Sequence, residues 1–129
     1  MSVPHIATPR VKDLCDLVAW NVAMDFAEQV YRATKGLPVE ERFGLQQQLR
    51  RSAVSIASNV AEGHGRAARR EYAYFVSIAR GSLKEAETQL RLAVRLGFLT
   101  TEAFDELNVN LVRLNQLLTA LRQRLRGSP

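Results

Sequence analysis

Phe104, Leu107, Leu111, Leu114, Leu118, Leu121 and Leu125 recur at alternating spacings of three and four residues. This spacing lays one apolar stripe along about six turns of helix, the pattern of a bundle or coiled-coil seam. Such a helix cannot be stable alone and needs partners of matching length. Three turn signals upstream divide the rest of the chain into segments of that length: Gly36-Leu37-Pro38, Gly63-His64-Gly65, and Gly97 followed by Thr100 and Thr101. Each pairs a helix-ending glycine with a start signal, such as Pro38 before Glu40 and Glu41, or Thr101 before Glu102. The third segment carries Tyr72, Phe75, Ala79, Ser82, Ala86, Leu90 and Ala93 at helical spacing, small enough in places to admit a close neighbour. The second does the same through Leu45, Leu49, Ser52, Ile56 and Val60, with Ala53 beside them. No segment alternates β-branched residues with period two, so strands are not supported. Four amphipathic helices on short connections predict an all-α, antiparallel up-and-down four-helix bundle.

At 129 residues the chain has the size of one domain. The expected layout is an N-terminal tail over residues 1–10, a bundle over 11–126 and a C-terminal tail over 127–129. Hydrophobic residues form 47% and charged residues 24%, which supports a packed core over most of the length. A single cysteine, Cys15, cannot close an intramolecular disulfide, and Met1 to Pro9 lack the apolar stretch of a secretory signal. Without an apolar run of membrane-spanning length, the expectation is a soluble, cytoplasmic protein with no membrane partner.

The first helix carries more apolar surface than one core requires. Its polar residues Asn21, Asp25, Glu28, Gln29 and Arg32 fall in a narrow sector at about 100° per residue. One stripe runs through Leu17, Trp20, Met24, Ala27 and Tyr31, and a second through Val18, Val22, Phe26 and Val30. Together they cover roughly 200° of the helix. Either this helix is central within its own bundle, or the second stripe packs on another subunit. The wide face favours a homo-oligomer.

Groups that could perform chemistry are few. His5, His64 and Cys15 are scattered, and a zinc site needs four ligands or three plus water. Ser52, Ser55 and Ser58 precede His64, but they read as hydroxyls in a small-residue helix, with His64 in a solvated loop. Gly63-His64-Gly65-Arg66 is too short for a phosphate-binding loop and follows a helix rather than a strand. Glu62 and Glu87 lie four residues before Arg66 and Arg91, the orientation of helical ion pairs. No catalytic residue, metal site or cofactor is expected.

The basic residues carry the most information. Fifteen of the 18 Lys and Arg residues are arginine, and the net charge is +5. On the third helix Arg69, Arg70, Arg80, Lys84, Arg91 and Arg95 fall within a sector of roughly 100°, opposite the apolar stripe. Glu87 interrupts the sector, while Glu71 and Glu85 fall on its flank, so charge is segregated by sign. The face extends about 39 Å at 1.5 Å per residue, enough to follow several phosphates. Arg50, Arg51 and Arg66, from the second segment and the loop after it, are expected to enlarge the patch. No aromatics interleave in this stripe, which points to backbone contact rather than base stacking.

Four motifs in order specify a resemblance: Asp16-Leu17-Val18-Ala19-Trp20, Leu49-Arg50-Arg51-Ser52-Ala53-Val54-Ser55-Ile56, Asn59-Val60-Ala61-Glu62-Gly63, and Gly81-Ser82-Leu83-Lys84-Glu85-Ala86-Glu87-Thr88-Gln89-Leu90. Together they closely resemble the bacterial four-helix-bundle proteins called 23S ribosomal RNA intervening-sequence proteins, from Val11 to Leu125. The name records where some of the genes lie and establishes no activity. That family is in turn similar to accessory variability proteins of diversity-generating retroelements, which form homopentameric barrels and bind nucleic acid and a reverse transcriptase. The resemblance implies a homopentamer with RNA or DNA, and a reverse transcriptase or other protein, as partners. It also implies that Arg50, Arg51, Asn59, Glu62, Gly63 and Arg66 mark either a shared binding surface or the turn between helices two and three. Ala57 stands where the family usually has proline, so helix two is expected to be less kinked.

The expected function is therefore a non-enzymatic, oligomeric nucleic-acid-binding or adaptor protein acting through Arg50, Arg51, Arg66, Arg69, Arg70, Arg80, Lys84, Arg91 and Arg95. The competing expectation is a scaffold that recruits a different protein through the apolar face of helix one.

Overall fold

The computed structural model describes residues 11–127, with side chains from Asp16 onward; residues 1–10 and 128–129, which hold the expected tails apart from Gly127, and the Cys15 side chain lie outside the described residues. Four helices follow one another: α1 over Val11–Thr34, α2 over Leu45–His64, α3 over Arg69–Arg95 and α4 over Thr101–Gly127. Each packs on its neighbours in sequence and α1 closes against α4, giving the antiparallel up-and-down four-helix bundle. The core is built from the leucine stripe of α4, with Leu111, Leu114 and Leu118 meeting Phe26, Leu49, Ile56 and Leu90. Each such buried side chain contributes about 1.5–3 kcal/mol.

The turn signals mark the breaks, with local differences. Gly97 ends α3 in the left-handed conformation at φ 79°. Its N–H donates to Val94 O at 3.0 Å and the Phe98 N–H donates to Ala93 O at 2.9 Å, the paired bonds that close a helix C-terminus on glycine. The α4 cap is Thr100 rather than Thr101, because the Thr100 Oγ1 accepts the Ala103 N–H at 3.0 Å. Pro38 opens only a 3-10 turn, Val39–Glu41. Helix α2 begins at Leu45, after Gly44 at φ −110° and ψ −112° breaks the helical path, and the Leu45 N–H is capped by Glu41 Oε1 at 2.9 Å.

Gly63 does not end α2 but is a buried residue within it. A Cβ there would lie 2.7 Å from Tyr72 Cδ1 and 2.9 Å from Phe75 Cβ. Close approach of α3 explains this glycine, rather than backbone conformation.

Helix α1 divides its apolar surface across both stripes: Ala27 of the first is buried and Trp20 packs against the core, while Val18 of the second is exposed. Val22, Phe26 and Val30 are buried in the chain's own core together with Ala19 and Ala23, while Met24 and Tyr31 of the other stripe are exposed. Ala19 and Ala23 lie beside Phe26 and Val30 on this buried face, and side chains this small let a neighbouring helix approach closely.

Candidate nucleic-acid interface

The basic residues of α3 lie along its seam with α4. Antiparallel packing sets the first turn of α3 beside the last turn of α4, where Arg69 donates from Nε to Leu125 O at 3.4 Å and from Nη2 to Arg124 O at 2.5 Å. These bonds occupy carbonyls that a helix C-terminus leaves open. Midway, the Arg122 Nε donates to Ser77 Oγ at 2.6 Å. At the far end Arg91 lies 4.9 Å over the ring of Phe104 and pairs with Glu87 Oε2 at 3.0 Å, the pair its spacing predicts. Lys84 and Arg95 are exposed. Arg80 is half-buried, and its Nε is enclosed without a hydrogen-bond partner among the described residues.

Packing adds cations that a reading of α3 alone misses. Arg122 and Arg126 of α4 come to the seam, where Arg122 bonds Ser77 and Arg126 shares an open groove with Arg69, Arg70, Tyr74 and Ser77, whereas Arg124 meets α3 through its backbone carbonyl. Their signal in the sequence is positional: in an antiparallel pair the last turn of α4 must meet the first turn of α3. Arg124 and Arg126 also sit where the negative end of the α4 dipole favours them.

The remaining expected residues are placed elsewhere. Arg66 follows α2, pairs with Glu62 and lies 4.8 Å over the ring of Phe75, near the basic end of α3. Arg50 does not enlarge the α3 patch, because its guanidinium turns onto α1. It donates to Thr34 Oγ1 at 2.9 Å and to Tyr31 O at 3.2 Å, and stacks 4.5 Å over the Tyr31 ring. Arg51 is exposed in the groove between α1 and α2, away from the α3/α4 seam.

Polar side chains join α2 to α3. The Ser52 hydroxyl donates to Gln89 Oε1 at 2.8 Å, and Ser55 and Ser82 share a hydrogen bond of 2.8 Å that Asn59 extends. Ser52 and Ser55 are thus parts of the helix seam, as a small-residue helix implies. His64 is not in a solvated loop: it closes α2 half-buried, with Nε2 3.7 Å from Asp16 Oδ2 and its ring edge-on to Tyr72. Among the described residues no three His, Cys, Asp or Glu side chains gather as they would around a metal ion, and no helix there is long and apolar enough to cross a membrane.

No curated protein matches this chain. Among solved structures, it is similar to the crystal structure of a protein of unknown function from the S23 ribosomal protein family of Bacteroides thetaiotaomicron. The two share 24% sequence identity and superpose with a TM-score of 0.78 over 84% of this chain and 98% of that one. At that identity the likeness establishes the fold. The profile of the family described as 23S rRNA-intervening sequence protein matches residues 15–120, and the chain belongs to that family.

Proposed function

We propose that this chain is a non-enzymatic, self-associating protein that binds the phosphate backbone of RNA or DNA along the α3/α4 seam, as a nucleic-acid-binding or adaptor module. The supporting observation is the sign-segregated arginine strip of α3, extended by Arg122 and Arg126 from the helix packed beside it. Guanidinium groups bind phosphate oxygens in a fork that lysine cannot reproduce. Copies joined in a ring, five if the similarity to retroelement accessory proteins extends to assembly, would multiply a weak single-site contact by avidity.

Geometry selects the residues for the test. Arg80 is half-buried and Arg91 is held by Glu87, so charge reversal belongs at exposed Arg70, Lys84 and Arg95. Titration of duplex and single-stranded RNA and DNA across a salt series, with native mass recorded alongside, should show binding that weakens steeply with salt. The triple variant should lower the log–log salt slope by roughly 0.9 for each phosphate that the protein ceases to neutralise. Unchanged binding by that variant would defeat the assignment.

A second reading has its own observation. Tyr31, Phe43 and Val54 line one groove between α1 and α2, with Met24 exposed farther along α1. That face serves self-association in our proposal; in the alternative it recruits a different protein, such as a reverse transcriptase, without nucleic acid.

A further inference from the structure

We infer that the basic end of the α3/α4 seam is a platform for single-stranded nucleic acid, on which Tyr74 stacks a base while the surrounding arginines hold the adjoining phosphates. This rests on the phosphate-binding reading and narrows it to one class of ligand. Tyr74 is 63% exposed. Isolated surface aromatics are ordinary, but this ring shares an open groove of about 580 Å³ with Arg69, Arg70 and Arg126, which come from two helices. Its inner side is supported by a T-shaped contact with Phe75 at 5.4 Å, and Arg66 covers Phe75 in turn. A phenol ring thus stands beside cations from the start of α3 and the end of α4, while Arg66 of the α2–α3 connection covers the Phe75 ring that supports it. Of the carboxylates in the adjoining turns, Glu62 is engaged by Arg66 and Glu71 is one charge against Arg69, Arg70 and Arg126, so the cluster stays net positive.

The aromatic ring discriminates between ligands. Base pairs in a duplex are stacked on both faces and offer a protruding tyrosine no free ring, whereas a single strand presents base faces and phosphates together. Arg69 is anchored by the α4 carbonyls, which fixes one wall of the groove. Arg70 and Arg126 remain to follow the strand.

The experiment uses the full chain with an oligothymidylate, an oligouridylate of equal length and a DNA duplex, each titrated by fluorescence anisotropy at several salt concentrations. Tyr74→Ala should weaken both single strands roughly tenfold at an unchanged salt slope, leave duplex affinity within about twofold, and leave native mass and melting temperature as they were. Tyr74→Phe should bind like the unaltered protein, because stacking needs the ring and not the hydroxyl. Tighter binding of one oligonucleotide by the unaltered protein identifies RNA or DNA as the source of the strand. Equal weakening of duplex and single strands by Tyr74→Ala, no weakening of either, or a fall in native mass that makes Tyr74 a subunit contact would each overturn the platform. Absence of all binding by the unaltered protein at low salt would instead remove the phosphate reading beneath it.

Discussion

Gly63 of α2 and Tyr72 of α3 are in such close register that a single added methyl at Gly63 would come within 2.7 Å of the tyrosine ring. Two effects oppose each other at this position. Glycine within a helix costs about 1 kcal/mol relative to alanine, which favours Gly63→Ala. Overpacking of a closed interface costs about 1–3 kcal/mol, and the second contact, at 2.9 Å, is Phe75 Cβ, which cannot move without its backbone. Overpacking should win. Gly63→Ala is expected to lower the thermal midpoint by several degrees in a circular dichroism melt, the reverse of what helix propensity alone requires.

Arg50 is expected to behave as a structural residue. Its Nε donates to Thr34 Oγ1, which itself donates to Val30 O at 2.7 Å while buried at the end of α1. Arg50→Ala removes that bond and the stacking on Tyr31, at a cost of about 1–2 kcal/mol. Chemical denaturation should register the loss, while affinity for nucleic acid should change far less than in the Arg70, Lys84 and Arg95 variant. A larger effect on binding than on stability would return Arg50 to the interface.

The Ser52–Gln89 hydrogen bond supports a double-mutant cycle. Ser52→Ala leaves the buried Gln89 Oε1 without the donor it has at 2.8 Å, a cost of about 1–3 kcal/mol. Adding Gln89→Leu removes the stranded acceptor at similar volume and should recover most of that stability. Denaturant midpoints of the single and double variants should therefore be strongly non-additive.

The α1/α2 face predicts an assembly defect separable from folding. Phe43 is 81% exposed and Val54 41%, so Phe43→Ser with Val54→Asp leaves the core intact. Native mass should fall to smaller species while the melting temperature of the protomer holds. An unchanged mass would move the subunit contact to another face.

Much of the fold is legible because helical periodicity is local. The α4 leucines Leu107, Leu111, Leu114, Leu118 and Leu121 are all buried, and Gly97 takes the left-handed conformation its position at a helix end implies. The i,i+4 pairs Glu62–Arg66 and Glu87–Arg91 form as spaced. The α1 stripes were not legible, since a helical wheel counts apolar residues but does not weigh the close approach that Ala19 and Ala23 permit. Arg50 looked like its neighbour Arg51 for a related reason: adjacent residues point about 100° apart on a helix, and only the position of α1 shows which one finds a buried hydroxyl.

Four helices, the places of their three connections and the segregation of basic charge on α3 can be read along the chain, because each depends on spacings within one segment. Which face of α1 enters the core, why residue 63 is glycine, and that Tyr74 stands among arginines from two helices emerge only from the packing of the bundle. Those are relations between residues far apart in the chain, set by how closely the helices pack, and no periodicity within a single helix encodes them.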